Sequence, residues 1–162
     1  MAAEPRAWVV DASVAFAWFV AVPGSEQAAL LLADPAEALL LAPDLVLVEL
    51  LNAAWKSLRL GAITAEQFDW LAHRASQPFS ALFPAQALLA RARHWCSLLD
   101  HPAYDCLYIA LAEQQNATLI TADQRLLRKL QEPHPGLPAS LDLGRVPWSG
   151  VKPEACDLIA AL

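Results

Sequence analysis

An α/β fold built on a mainly parallel sheet is what this sequence predicts, on three observations. Short apolar runs without alternation recur along the chain: "AWVV" at 7–10, "ALLLA" at 38–42 and "ATLITA" at 117–122. Such runs mark strands buried on both faces. Helix-length segments with capping signals lie between them, which is the order of βαβ units. The length of 162 residues suits one domain with one core. Residues 1–150 are read as that domain and 151–162 as a C-terminal tail, with no internal repeat.

The first strand is Ala7–Val10, ending at Asp11. Ser13 is expected to cap a helix over Val14–Val20. Ser25 opens a second helix, through about Ala33. Strand two is Ala38–Ala42. Pro43-Asp44 ends it and caps a long helix, about Leu45–Leu60, stopped by Gly61. Thr64 with Glu66-Gln67 starts a helix to about Ser76. Pro84 to about Leu99 is helical. Pro102 suits a first helical turn, and that helix runs to about Gln115. Asn116 turns the chain into the strand "ATLITA". A basic helix, Gln124–Leu130, follows Asp123. Pro133, Pro135, Gly136 and Pro138 then mark a loop, with a short strand expected near Leu141–Leu143 or Val146–Trp148.

Composition narrows the function. Hydrophobic residues make up 57% and charged residues 17%, so disorder is excluded and apolar surface is left for a partner or a second copy. Three cysteines without a CxxC pair argue against zinc and against a disulfide framework, and fit a reducing cytoplasm. The four histidines show no metal-ligand spacing and are read as ordinary surface or packing residues. The apolar run Ala7–Val22 is broken by Asp11 and has no small-residue cleavage site before Pro23. The leucine-rich region from Ala28 to Leu51 is broken by charges and prolines. Neither offers the roughly 18 uninterrupted apolar residues of a membrane helix. The net charge of −6 does not advertise a nucleic-acid binder.

Four carboxylates carry the chemistry. In a parallel sheet with right-handed crossovers the C-terminal strand ends share one edge, where ligand sites gather. Asp11 and Asp123 each close a strand and so lie there. Asp105 begins a helix roughly 16 Å long at 1.5 Å per residue. The following strand returns about 20 Å at 3.3 Å per residue, which brings Asp105 back beside Asp123. Glu49 lies near the start of the helix after strand two, at the same edge, with Asn52 on its face. A lone aspartate at a strand end is ordinarily a turn former or cap. Four together repel one another and are costly to keep ionised. A hard divalent cation, Mg2+ or Mn2+, removes that cost, and such a site supports phosphoryl transfer.

At these residues the chain resembles the PIN-domain nucleases, especially the VapC-like toxins of bacterial toxin–antitoxin pairs. "VVDASVAFAWF" is similar to the first motif of that family, "APDLVLVELLNAAWK" to the second and "AYDCLYIALAEQQNATLITADQRLL" to the third. The resemblance covers about residues 8–130. It implies a three-layer α/β/α sandwich and divalent-metal-dependent hydrolysis of RNA phosphodiesters. It also implies a homodimer and a cognate antitoxin protein. Carried over by position, Asp11, Glu49, Asp105 and Asp123 would hold the metal. Ser13, Asn52 and Thr121 would support them by hydrogen bonds. Many relatives have a lysine where this chain has Ala17. Setting the four acids aside leaves 13 acidic against 11 basic residues, and Arg125 and Arg128, just after Asp123, are candidates for RNA phosphates. Two other readings share the fold. A non-catalytic PIN-like binding module need not keep all four acids. A receiver-type phosphotransfer domain would want a DxD after strand one, which this chain lacks.

Overall fold

The computed structural model describes residues 6–32 and 38–145. Five strands form one sheet in the order β3-β2-β1-β4-β5, every neighbouring pair parallel. They are β1 (Arg6–Val10), β2 (Ala38–Pro43), β3 (Ala81–Phe83), β4 (Thr118–Thr121) and β5 (Ser140–Asp142). The chain winds outward from β1 through β2 to β3, then crosses back to β4 and β5. With right-handed crossovers, reversing the direction puts helices on both faces, and the expected three layers follow. The reversal also makes the C-terminal ends of β1 and β4 the topological switch point.

The helices are α1 (Ala12–Ala15, continued by a 3-10 turn over Phe16–Trp18), α2 (Ser25–Leu30), α3 (Leu45–Arg59) and α4 (Ala65–Arg74). On the far side of β3 come α5 (Ala85–Leu99), α6 (Ala103–Gln114) and α7 (Gln124–Lys129). The capping box predicted at Thr64 is present. Its side chain accepts from Gln67 N, and the Gln67 side chain accepts from Thr64 N. Gly61 follows α3 in the left-handed region at φ +70° and Asn116 turns the chain at φ +48°.

Two expected caps work differently. Ser13 lies inside α1, whose N-cap is Asp11. Asp44 precedes α3 as its N-cap, but its side chain does not bond to the helix; its Oδ1 accepts the N–H of Ala85, tying the end of β2 to the start of α5. The strand β3 was not anticipated. Of the two positions proposed for a last strand, the first is the one found, at Ser140–Asp142, and Val146–Trp148 lies outside the described residues, as does the expected helix end at Ala33.

Helix α6 is the centre of the core. Every residue from Cys106 to Ala112 is buried, and the helix packs on β1, β2 and β4 with α5 alongside. A helix apolar all round is one covered on all sides. Each of its large apolar side chains contributes roughly 1.5–3 kcal/mol by leaving water. Its C-terminal end is fastened to α5 by Arg91, whose Nε and a terminal nitrogen both donate to Glu113. Trp95 Nε1 donates to the same carboxylate at 3.0 Å, and the Arg91 guanidinium lies 5.2 Å from the Trp95 ring centroid. The Arg91 hydrogen bonds hold the Glu113 carboxyl below its ordinary pKa.

The proline-rich loop crosses this fastening at Gly136, at φ +81°, where a Cβ would stand 3.0 Å from Glu113 Oε1. Gly136→Ala is therefore expected to destabilise the fold by about 1–2 kcal/mol, the order of the left-handed penalty for a residue with a side chain. Urea unfolding should show a lower midpoint with an unchanged slope.

Candidate functional site

The switch point is where the acids meet. Asp11 follows β1 directly, and its backbone N–H donates to Ile120 O of β4 at 3.0 Å. Its side chain is only 5% exposed. Two hydroxyls hold one carboxylate oxygen: Ser13 Oγ donates to Oδ2 at 2.7 Å and Thr121 Oγ1 donates to the same atom at 2.6 Å. Ser13 Oγ in turn accepts from Ala122 N, and Thr121 Oγ1 from Asp123 N. The ends of β1 and β4 are thus laced together through the group that carries the charge. Burial pushes the Asp11 carboxyl above its ordinary pKa; the hydroxyls pull it down and the nearby Asp105 adds to the rise.

Glu49 sits one turn into α3, half-buried. Tyr108 of α6, fully buried, donates its hydroxyl to Glu49 Oε2. Burial raises the Glu49 pKa to about 7, opposed by that hydrogen bond and reinforced by Asp11 and Asp105. Asp105 lies in the first turn of α6. His101, buried in the turn before α6, donates from Nε2 to Asp105 Oδ2 at 2.7 Å. Burial raises the Asp105 carboxyl, His101 opposes this, Asp123 adds repulsion and Arg125 relieves it.

Asp123 has a second task. Its Oδ1 accepts from Arg125 N and Leu126 N, so it is the N-cap of α7. It belongs to the cluster through its repulsion of Asp105. Of the expected supporting groups, Ser13 and Thr121 bind Asp11. Asn52 is exposed and makes no hydrogen bond to an acid among the described residues. Arg125 stands close enough to Asp105 to stabilise its charge, whereas Arg128 is an exposed residue one turn along α7.

Two side chains at the site were not anticipated. His101 had been read as ordinary, yet it holds Asp105. The available signal was its place just ahead of Pro102, next to the first turn of α6 that carries Asp105. Tyr108 carried no signal, because its partner lies 59 positions away.

A pattern runs through the four acids. Each has one oxygen held by a protein donor: Oδ2 of Asp11 and Asp105, Oε2 of Glu49 and Oδ1 of Asp123. Among the described residues, the other oxygen of each receives no side-chain hydrogen bond. Among the described residues no group of three or more His, Cys, Asp or Glu side chains stands close enough together to hold a metal ion. The fit to a divalent cation lies in the donors' chemistry. They are all carboxylate oxygens, mutually repelling, partly removed from water and fixed in orientation from behind, and a hard cation satisfies each of those conditions.

An α/β sandwich with acids gathered at its switch point is the architecture of a phosphoryl-transfer enzyme. Residues 8–132 match the family model described as the PIN domain, so this chain belongs to the PIN-domain family. It is 31% identical over 123 residues to Ribonuclease VapC3 of Pyrobaculum aerophilum, spanning 75% of this chain and 92% of that protein. The fold is similar to the crystal structure of PAE2754 from Pyrobaculum aerophilum, with a TM-score of 0.61 at 20% identity, covering 98% of this chain and all of that one. It is also similar to VapBC2 from Rickettsia felis, solved bound to a promoter DNA fragment, with a TM-score of 0.57 at 15% identity, covering 84% of this chain and 98% of that one.

The raised Glu49 pKa gives a pH signature. The unfolded chain releases this proton near 4.5 and the folded chain near 7. Between those values the native state holds more protons, so stability without metal should fall as pH rises from about 4.5 to 7. Glu49→Gln should flatten that part of a melting-temperature profile recorded in EDTA. Tyr108→Phe should move the inflection to higher pH, since it removes the bond that favours the ionised form.

Proposed function

We propose that this protein is a divalent-metal-dependent endoribonuclease and the toxin of a toxin–antitoxin pair. The observation that carries the reading is the gathering of Asp11, Glu49 and Asp105, each withdrawn from water, at the switch point of a PIN fold. A fold gains nothing by gathering these charges, and a cation-dependent hydrolase requires it. The likeness to Ribonuclease VapC3 supports RNA as the substrate.

Asp11, Glu49, Asp105 and Asp123 would hold Mg2+ or Mn2+. When bound, the cation supplies Lewis acidity at the phosphodiester and lowers the pKa of water. The chain's own residues prepare that site. Ser13 and Thr121 fix Asp11, Tyr108 fixes Glu49 and His101 fixes Asp105, so the carboxylates lose little freedom when they take up their ligand. Arg125, beside Asp105, is placed to meet an RNA phosphate, with Arg128 further along the same helix.

A partner surface supports the toxin role. Val48, Leu51 and Trp55 leave apolar area exposed on α3, and a groove of about 230 Å³ lies between α3 and α4, lined by Leu47, Leu71 and Ala75. This surface suits an apolar segment of an antitoxin, and a homodimer would cover more. Cys96 and Cys106 are free thiols, in keeping with a cytoplasmic setting. No helix among the described residues is long and apolar enough to cross a membrane.

The first test is cleavage of mixed structured and single-stranded RNAs with Mn2+, wild type beside Asp105→Asn. The expected result is cleavage by the wild type alone, abolished by EDTA. Equal cleavage by both proteins would mean a contaminating nuclease and no activity of this chain. Independently, millimolar Mn2+ should raise the wild-type melting temperature by ligand linkage. Asp105→Asn should lose most of that rise, and an equal rise in both proteins would count against the shared site.

A further inference from the structure

A second cavity, of about 320 Å³, opens directly onto Glu49 between α1 and α3. Ser13, Phe16, Asn52 and Lys56 line it. Its volume is at the small end of ligand sites, roughly 300–1,000 Å³, which admits one nucleotide and not a duplex. The lining is unlike the apolar groove between α3 and α4. It has a partly exposed aromatic ring, a carboxamide and an ammonium group, and Asn52 and Lys56 make no hydrogen bond or ion pair to another side chain among the described residues. Other cations nearby are spent: Arg59 lies over the Trp55 ring and Arg74 over the Trp70 ring.

Helix geometry sets the spacing. Asn52 and Lys56 are three and seven residues beyond Glu49, so about 4.5 and 10.5 Å further along the same face of α3 at 1.5 Å per residue. A polynucleotide lying on this face would present a phosphate at the acids, a base near Phe16 and Asn52, and its next phosphate within reach of the Lys56 side chain.

We propose that this cleft binds the RNA nucleotide adjoining the phosphate that is cut, with its base against Phe16 and Asn52 and its far phosphate on Lys56. The assignment rests on the ribonuclease reading and adds a subsite to it. Lys56 is a single charge contact, so it contributes one phosphate's worth of salt dependence, a slope of about 0.7 in log affinity against log salt for a single strand. Phe16 contributes by stacking, which tolerates any base.

The test uses the full-length Asp105→Asn protein, so that RNA is bound and not consumed. Its affinity for the same mixed RNA pool is measured by filter binding over a range of KCl. Adding Lys56→Gln should reduce the salt slope by about 0.7. Arg93→Gln, a charge removed from exposed α5, should leave it unchanged. Phe16→Leu should weaken binding by about tenfold, converted from a stacking contribution of 1–3 kcal/mol. Phe16→Tyr should restore most of it, and equal melting temperatures for the two Phe16 variants would separate stacking from folding. If Lys56→Gln matches Arg93→Gln in slope and Phe16→Leu binds as the parent does, the cleft is not a subsite. That result would stand with the nuclease reading intact whenever the wild type cuts RNA. The converse, cleft variants that weaken binding in a protein that never cuts, would sink the nuclease and with it the subsite's place beside a cut phosphate, leaving only RNA binding in the cleft. A parent that binds no RNA overturns both.

Discussion

The burial of the Asp11 carboxylate at the end of β1, close to two other acids, is the constraint from which the rest of the site follows. Asp11 sits where the sheet reverses direction, almost out of water, and both strands flanking the switch point contribute to holding it. A charge in that position must be neutralised, hydrogen-bonded or removed. Ser13 and Thr121 bond the same oxygen, Oδ2. That arrangement stabilises the ionised form and leaves the carboxylate's other oxygen without a side-chain hydrogen bond among the described residues. The hydroxyls also receive backbone N–H groups from Ala122 and Asp123, so the residues that quiet the charge also close the strand ends.

Helix α6 extends the same logic across the core. It carries Asp105 in its first turn, and the turn that precedes it carries His101. One turn further along, Tyr108 reaches Glu49 on α3. One apolar helix therefore sets two of the acids, and its burial makes their positions rigid. The stiffness comes from ordinary packing along Cys106–Ala112, whose side chains have no room to shift. The Arg91–Glu113–Trp95 fastening holds the other end of the helix against α5.

Legibility in the sequence tracked the range of each interaction. β1, β2 and β4 were readable because strands buried on both faces need continuous apolar runs, and "ALLLA" has few other uses. Helix boundaries held to within a residue or two wherever a local signal existed, as at Thr64 and Gly61. β3 was hidden because three residues, Ala81–Phe83, are too few to show a period before Pro84. The acids could be placed on one edge from strand ends and chain lengths alone. Their supports were less visible. The family resemblance named Ser13 and Thr121 as supports, and both bind Asp11; the residues alone read Ser13 as a cap, because a capping serine and a serine beside a carboxylate look alike in sequence. Asp44 passed for a cap of its own helix while it binds the start of α5, 41 residues later. Tyr108 and Glu49 meet only after the sheet has formed.

The acidic net charge bears on how RNA could approach such a protein. Long-range attraction is weak for a chain of −6, and the centre of the site repels phosphate until a cation is bound. Local placement then matters more than total charge. Arg125 stands near Asp105, and Lys56 lines the cleft beside Glu49. Under the proposed ribonuclease reading, a strand that reached both would meet positive charge at Arg125 and Lys56, and a bound cation would offset the carboxylates. The basic groups are few, so each should carry a measurable share of the salt dependence. If the site holds a cation as proposed, it would bind substrate most tightly with the metal present and the backbone correctly laid. A broad basic surface would hold RNA without either condition. The low positive charge is thus consistent with recognition that depends on the site itself, where affinity and cutting draw on the same few residues.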